Sequence, residues 1–67
     1  MPEIGDRVRI NPKKYENFHI GEGWGTIVGF NPYRPTECID VKFDKDRLIV
    51  SNVRIADIID IEYSRVS

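Results

Sequence analysis

The chain has 67 residues and little of what chemistry at a protein site commonly needs. It carries one cysteine, Cys38, and one histidine, His19. A single cysteine closes no intrachain disulfide, and one cysteine with one histidine furnishes no zinc site. No serine, cysteine or carboxylate stands at a recognisable catalytic spacing from His19, so acid–base or nucleophilic catalysis is not expected there. Cys38, read as facing away from the core beside Asp40, is expected to be an unreactive thiol. A surplus of one charge sign is also missing: ten Lys and Arg stand against eleven Asp and Glu, a formal net charge of −1. Nucleic-acid binders usually carry a basic excess that displaces counterions, so the whole-chain charge makes no case for one. No apolar run reaches membrane-spanning length, and the short acidic start Met1-Pro2-Glu3 lacks the make-up of a secretory signal. These absences lead us to expect a cytoplasmic protein, not inserted in a membrane, with no cofactor, no metal and no enzymatic activity.

Leucine and alanine are scarce too, at one each, whereas there are ten Ile and six Val. Side chains branched at Cβ suit a pleated surface and disfavour a helix, so the composition is that of an all-β protein. With 40% apolar and 31% charged residues, it falls in the range of folded globular chains. Its length permits one domain, with a core spanning about 4–63, and a domain this small is only marginally stable alone.

The organising stretch is Gly21-Glu22-Gly23-Trp24-Gly25-Thr26-Ile27-Val28-Gly29-Phe30, a glycine-rich turn running into a β-branched strand. Upstream, Arg7-Val8-Arg9-Ile10 alternates, with Val8 and Ile10 expected in the core and Arg7 and Arg9 in water. Asn11-Pro12 ends that strand. Residues 13–20 lose the pattern and read as a loop folding back on the sheet. A second strand runs from Trp24 to near Phe30, and its facing is open, because Ile27 competes with Thr26, Val28 and Phe30 for the inner side. Asn31-Pro32-Tyr33-Arg34-Pro35-Thr36 is a stiff loop that leaves Tyr33 and Arg34 projecting. Strand three, residues 38–43, alternates cleanly: Ile39, Val41 and Phe43 one way, Cys38, Asp40 and Lys42 the other. Asp44-Lys45-Asp46 is a polar hairpin turn, and Leu48-Ile49-Val50 returns as strand four. Residues 51–61 fit either a 3₁₀ turn at 55–57 followed by a strand or a short amphipathic helix. The density of Ile favours the turn and strand, with Ile59 and Ile61 pointing inward. Residues 63–67 form a tail.

Five short strands, a long first loop, a tight third-to-fourth hairpin and a 3₁₀ turn before the fifth strand describe an SH3-like five-stranded small barrel. Gly5-Asp6-Arg7-Val8-Arg9-Ile10 with Gly25-Thr26-Ile27-Val28 resembles the opening of KOW and related SH3-like domains. Val8-Arg9-Ile10, Tyr15, Gly25-Thr26-Ile27 and Val41-Lys42-Phe43-Asp44-Lys45 are similar to the small SH3-like subunit of photosystem I. Gly5-Asp6-Arg7-Val8-Arg9, Gly25-Thr26-Ile27-Val28-Gly29-Phe30 and Val50-Ser51-Asn52-Val53 follow the order of segments in type II dihydrofolate reductases, which assemble as tetramers around one pore. In that family a Val-Gln-Ile-Tyr segment contacts folate and nicotinamide. Here Ser51, Asn52 and Val53 replace its Gln, Ile and Tyr, so the resemblance implies a fold without that active-site chemistry.

Three functions of different kinds follow. The first is a non-catalytic interaction module docking onto a partner protein in a larger assembly through Tyr15, Phe18, Trp24, Tyr33 and Arg34. The competing use of Phe18 and Trp24, and the commoner one, is to cover the open ends of a small barrel; for Tyr15 and Tyr33 the two uses weigh equally. The second is an RNA- or DNA-binding KOW-like module whose basic turn face is built from Arg7, Arg9, Lys13 and Lys14. Against it, such side chains ordinarily form a solvated face paired with Glu3, Glu16 or Glu22. The third, an oligomeric reductase of the dihydrofolate type, ranks last. Self-association is compatible with each of them, since a barrel this small gains from burying its strand edges. The acidic residues Asp40, Asp44, Asp46, Asp57, Asp60 and Glu62 follow no calcium-loop spacing and serve solubility.

Overall fold

A computed structural model describes residues 2–64. Met1 and three residues of the expected tail, 65–67, lie outside the described residues. Five strands form one antiparallel sheet: β1 (Arg7–Ile10), β2 (Trp24–Phe30), β3 (Cys38–Phe43), β4 (Ile49–Arg54) and β5 (Ile58–Glu62). In space the order is β4-β3-β2-β1-β5. The two outermost strands, β4 and β5, are consecutive in the chain and joined only by the 3₁₀ turn Ile55–Asp57. A sheet whose two edges are linked by three residues must curl until those edges approach. The result is a small all-β, barrel-like fold with a 3₁₀ turn before the last strand. Among the described residues no helix is long and apolar enough to cross a membrane.

The curl has visible causes. Three of the four ladders carry an extra residue on one strand: Val28 in β2 between Ile27↔Val41 and Gly29↔Asp40, the Ser51-Asn52 pair opposite Asp40, and Ile59 in β5 between Arg9↔Asp60 and Ile10↔Ile58. Each bulge bends its strand and increases the local twist. The bulge at Val28 settles the facing of β2, because Gly25 and Ile27 are buried while Val28 is 40% exposed. At Ile59 the bulge overturns an expectation. A strict alternation puts Ile59 inside with Ile61, but the extra residue turns it out to 55% exposure, and Ile58 packs against the core instead.

Val8, Ile10, Ile27, Ile39, Val41, Phe43, Val50 and Val53 fill the interior, with Ile20 as a plug supplied by the long loop. Phe30, Ile55, Ile58 and Ile61 close its margins. Two glycines make the tight packing of β2 feasible. A Cβ on Gly23, at φ +98, would fall onto the Ile10 carbonyl oxygen, and one on Gly25 would meet Val41 Cγ1 at 2.6 Å and the Lys42 carbonyl oxygen at 2.7 Å.

The loop between β1 and β2 has more order than its sequence pattern announces. Pro12–Phe18 forms 3₁₀ turns broken at Tyr15 (φ −127, ψ 30), started by an Asn11 side chain that accepts from the Lys13 N–H at 3.1 Å. Periodicity is silent here because the segment buries no residue completely, so no hydrophobic repeat is required of it. Ahead of β1, Asp6 is fully buried.

Candidate docking groove

Asn31 organises the loop between β2 and β3. Its Oδ1 accepts from the backbone N–H of Tyr33 (2.8 Å) and of Arg34 (3.1 Å), an Asx-type turn that Pro32 and Pro35 stiffen. Its Nδ2 donates across to Asn52 Oδ1 at 2.6 Å. Asn52 is the bulged residue of β4 and sits at φ +61, a region that asparagine tolerates better than most side chains. The bulge thereby aims the Asn52 amide at the loop, and the two asparagines tie loop to strand.

The opposite wall is the Ile55–Asp57 turn. The Ile55 N–H donates to the Glu37 carbonyl at 2.8 Å, and the Asn11 N–H donates to the Asp57 carbonyl at 3.0 Å. Tyr15 locks this corner: its hydroxyl donates to Asp57 Oδ2 at 2.7 Å and accepts from the Arg54 N–H at 3.1 Å. Partial burial, the largest influence on the Tyr15 phenol, pushes its pKa above the usual tyrosine value; the Arg54 backbone N–H opposes that rise, and the neighbouring Asp57 carboxylate adds to it.

Between the loop and the turn lies an open groove of about 910 Å³. Asn31, Arg34 and Glu37 line it from the loop, Asn52 and Arg54 from β4, Ile55 from the turn, and Cys38 from the start of β3. Cys38, which alternation turns away from the core, is nonetheless only 9% exposed. The reason is the loop: the Asn31 N–H donates to the Cys38 carbonyl (3.1 Å) and the Cys38 N–H to the Arg34 carbonyl (3.0 Å), which folds residues 31–37 over it.

The five aromatic and arginine candidates do not form one surface. Arg34 lines the groove, and Tyr33 beside it is 92% exposed at the loop tip. Tyr15 stands behind the groove wall, and Phe18, 46% exposed, lies 6.2 Å from it between ring centroids. Trp24 belongs to a different hollow of about 300 Å³, next to Ile20 and Lys45. The Arg7 guanidinium lies 5.8 Å from the Trp24 ring centroid.

The basic residues of the first strand and loop are largely engaged within the molecule. Arg7 grips Asp44 with two bonds of 2.6 Å, Nη1 to Oδ1 and Nη2 to Oδ2. The hydrogen bonds from Arg7 hold the Asp44 carboxyl below the usual carboxylate range. Arg9 Nε donates to the Glu22 carbonyl at 2.8 Å, and Lys14 Nζ stands 3.9 Å from Asp57 Oδ1. Lys13 is exposed. Across the ladder Arg7 faces Glu62 and Arg9 faces Asp60, so the outer face of β1 alternates in sign with its neighbour.

Residue types alone gave no weight to Asn31, Asn52 or Arg54. The Asn-Pro pair at 31–32 is a signal from which a side-chain-capped turn can be read; the contact to Asn52 carries no local signal, because it depends on a bulge. No protein-family model matches the chain, and neither curated proteins nor solved structures yield a match.

Proposed function

We propose that this chain is a non-catalytic, SH3-like interaction module that docks onto a partner protein within a larger assembly. The strand order, with consecutive edge strands joined by a 3₁₀ turn, supports the SH3-like reading. A groove walled by two preset elements carries the functional one: the Asn31–Asn52 bond fixes the loop side, and the Tyr15 bonds to Arg54 and Asp57 fix the other. Preset walls lower the ordering cost of binding, which favours recognition of an extended segment of another protein.

The nucleic-acid reading has less support. Of its four cationic side chains, Arg7 and Arg9 are bonded within the molecule and face acidic partners across the ladder. A phosphate backbone would have to displace those contacts.

The test is affinity isolation from the source cell with the natural chain and with Ala56→Trp, which puts a bulky uncharged side chain into the groove lining. Stoichiometric recovery of a protein by the natural chain, lost with Ala56→Trp, is expected. Recovery of nucleic acid in its place, or of the same proteins by both chains, overturns the docking function.

A further inference from the structure

Two arginines of the groove lining, one on the β2–β3 loop and one at the end of β4, are joined through a single residue. Cys38 is the cross-strand partner of Arg54, and its N–H bonds the Arg34 carbonyl at 3.0 Å. Both arginines line the groove and both are exposed. Among the described residues neither guanidinium has an acidic partner within salt-bridge distance, in contrast to Arg7. The other charged lining residue is Glu37, so the groove carries a formal charge of +1 in a chain whose total is −1.

We infer that the groove takes an acidic, extended segment of the partner protein, its carboxylates held by Arg34 and Arg54; this rests on the docking function proposed above. A guanidinium presents parallel N–H donors that match the two oxygens of a carboxylate, so a pair of uncommitted arginines across a groove selects aspartate or glutamate side chains. Glu37 sets the limit on charge density. It repels a continuous polyanion more than a segment whose acids are spaced by neutral residues, and this favours an acidic peptide over a nucleic-acid backbone.

The experiment uses the full chain and fluorescein-labelled probes read by anisotropy at low salt: a peptide of alternating Glu and Gly, its Gln counterpart, and an oligothymidylate of equal length. We expect the Glu peptide to bind and the Gln peptide not to. Arg34→Glu and Arg54→Glu should each weaken binding about tenfold or more, the loss expected for a charge-assisted contact. Glu37→Gln should strengthen it, and Lys42→Glu, the same charge change on β3 outside the groove, should cost clearly less than Arg34→Glu. Thermal melts check that each variant folds; should Arg54→Glu fail to fold, Arg34→Glu on its exposed loop decides. Absence of Glu-peptide binding, an equal loss with Lys42→Glu, or tighter binding of the oligothymidylate overturns the inference. A partner recovered in the isolation experiment and lost with Ala56→Trp, without any Glu-peptide binding, would discard the acidic occupant and keep the docking function.

Discussion

Ser64 donates both its backbone N–H (2.8 Å) and its hydroxyl (3.0 Å) to Oδ1 of the fully buried Asp6, 58 residues earlier in the chain. The other oxygen, Oδ2, accepts from the Glu3 N–H at 2.8 Å, and the Asp6 backbone bonds Ile27. One carboxylate thus fastens the beginning of the sheet to the segment that leaves β5. A buried charge is tolerated only when its hydrogen-bonding capacity is met, and here donors from two distant segments meet it.

Removing that acceptor should therefore be among the costliest single changes outside the apolar core. We expect Asp6→Ala to destabilise the domain by about 2–4 kcal/mol, since several donors lose a charged partner together. For a domain of this size that corresponds to a drop in melting temperature of roughly 10 °C or more. Ser64→Ala, which keeps the backbone N–H, should cost clearly less. Thermal and urea unfolding of both variants provide the check, and equal losses would show that the hydroxyl dominates.

The Arg7–Asp44 pair is a different case, being exposed and bonded through both nitrogens. Solvent screening limits Asp44→Asn to a loss of up to about 1 kcal/mol near neutral pH. The sign of the pH dependence follows from the lowered Asp44 pKa. The contribution is complete above the ordinary carboxylate pKa and is lost as pH falls through the depressed one. Urea midpoints of the natural chain and the variant should converge in acid and also at high salt; a gap that persists in acid would assign the effect to packing on Trp24.

Tyr15→Phe deletes a hydroxyl with partners on both sides, Asp57 Oδ2 and the Arg54 N–H. The expected loss is about 1–2 kcal/mol. Because the folded-state pKa is raised above 10.0, the neutral phenol is the form that folding favours. Its contribution therefore holds below the unfolded value and fades as pH rises through the raised one. A natural-chain stability that falls on the alkaline side, with a shallower fall in Tyr15→Phe, is the predicted result.

At the β3–β4 hairpin, Asp46 and Arg47 both have positive φ, +59 and +52. A left-handed conformation costs a side chain bearing a Cβ roughly 1–2 kcal/mol, part of which glycine returns as extra freedom in the unfolded chain. Arg47→Gly should raise stability by about 0.5–1 kcal/mol, measured as a higher urea midpoint at unchanged slope. A lower midpoint would mean that the Arg47 side chain has a stabilising role in the turn.

The sequence and the fold agree most closely where a residue's surroundings are set by its neighbours in the chain. Strands at 24–30 and 38–43, the core positions Val8, Ile10, Ile39, Val41 and Phe43, and the 3₁₀ turn at 55–57 were all legible, because alternation and β-branching act over a few residues. The outward turn of Ile59 and the burial of Cys38 escape that reading for one shared reason. An alternation rule has no means of registering a bulge that shifts the facing, or a loop that folds over an outward position. Residue type and loop position single out the aromatic candidates without saying which of them share a surface; the fold puts Trp24 in a different hollow from the one that Arg34 lines.

Local propensity was thus sufficient to determine that this chain is an all-β domain with Val8, Ile10, Ile39, Val41 and Phe43 inside. The groove is another matter. Asn31 reaches Asn52, Tyr15 reaches Arg54 and Asp57, and Asp6 reaches Ser64 across 21, 39, 42 and 58 positions of chain. Contacts of that span have no signature in any short window, since they exist only after the strands have paired in the order β4-β3-β2-β1-β5 and the bulges have set which way each residue faces.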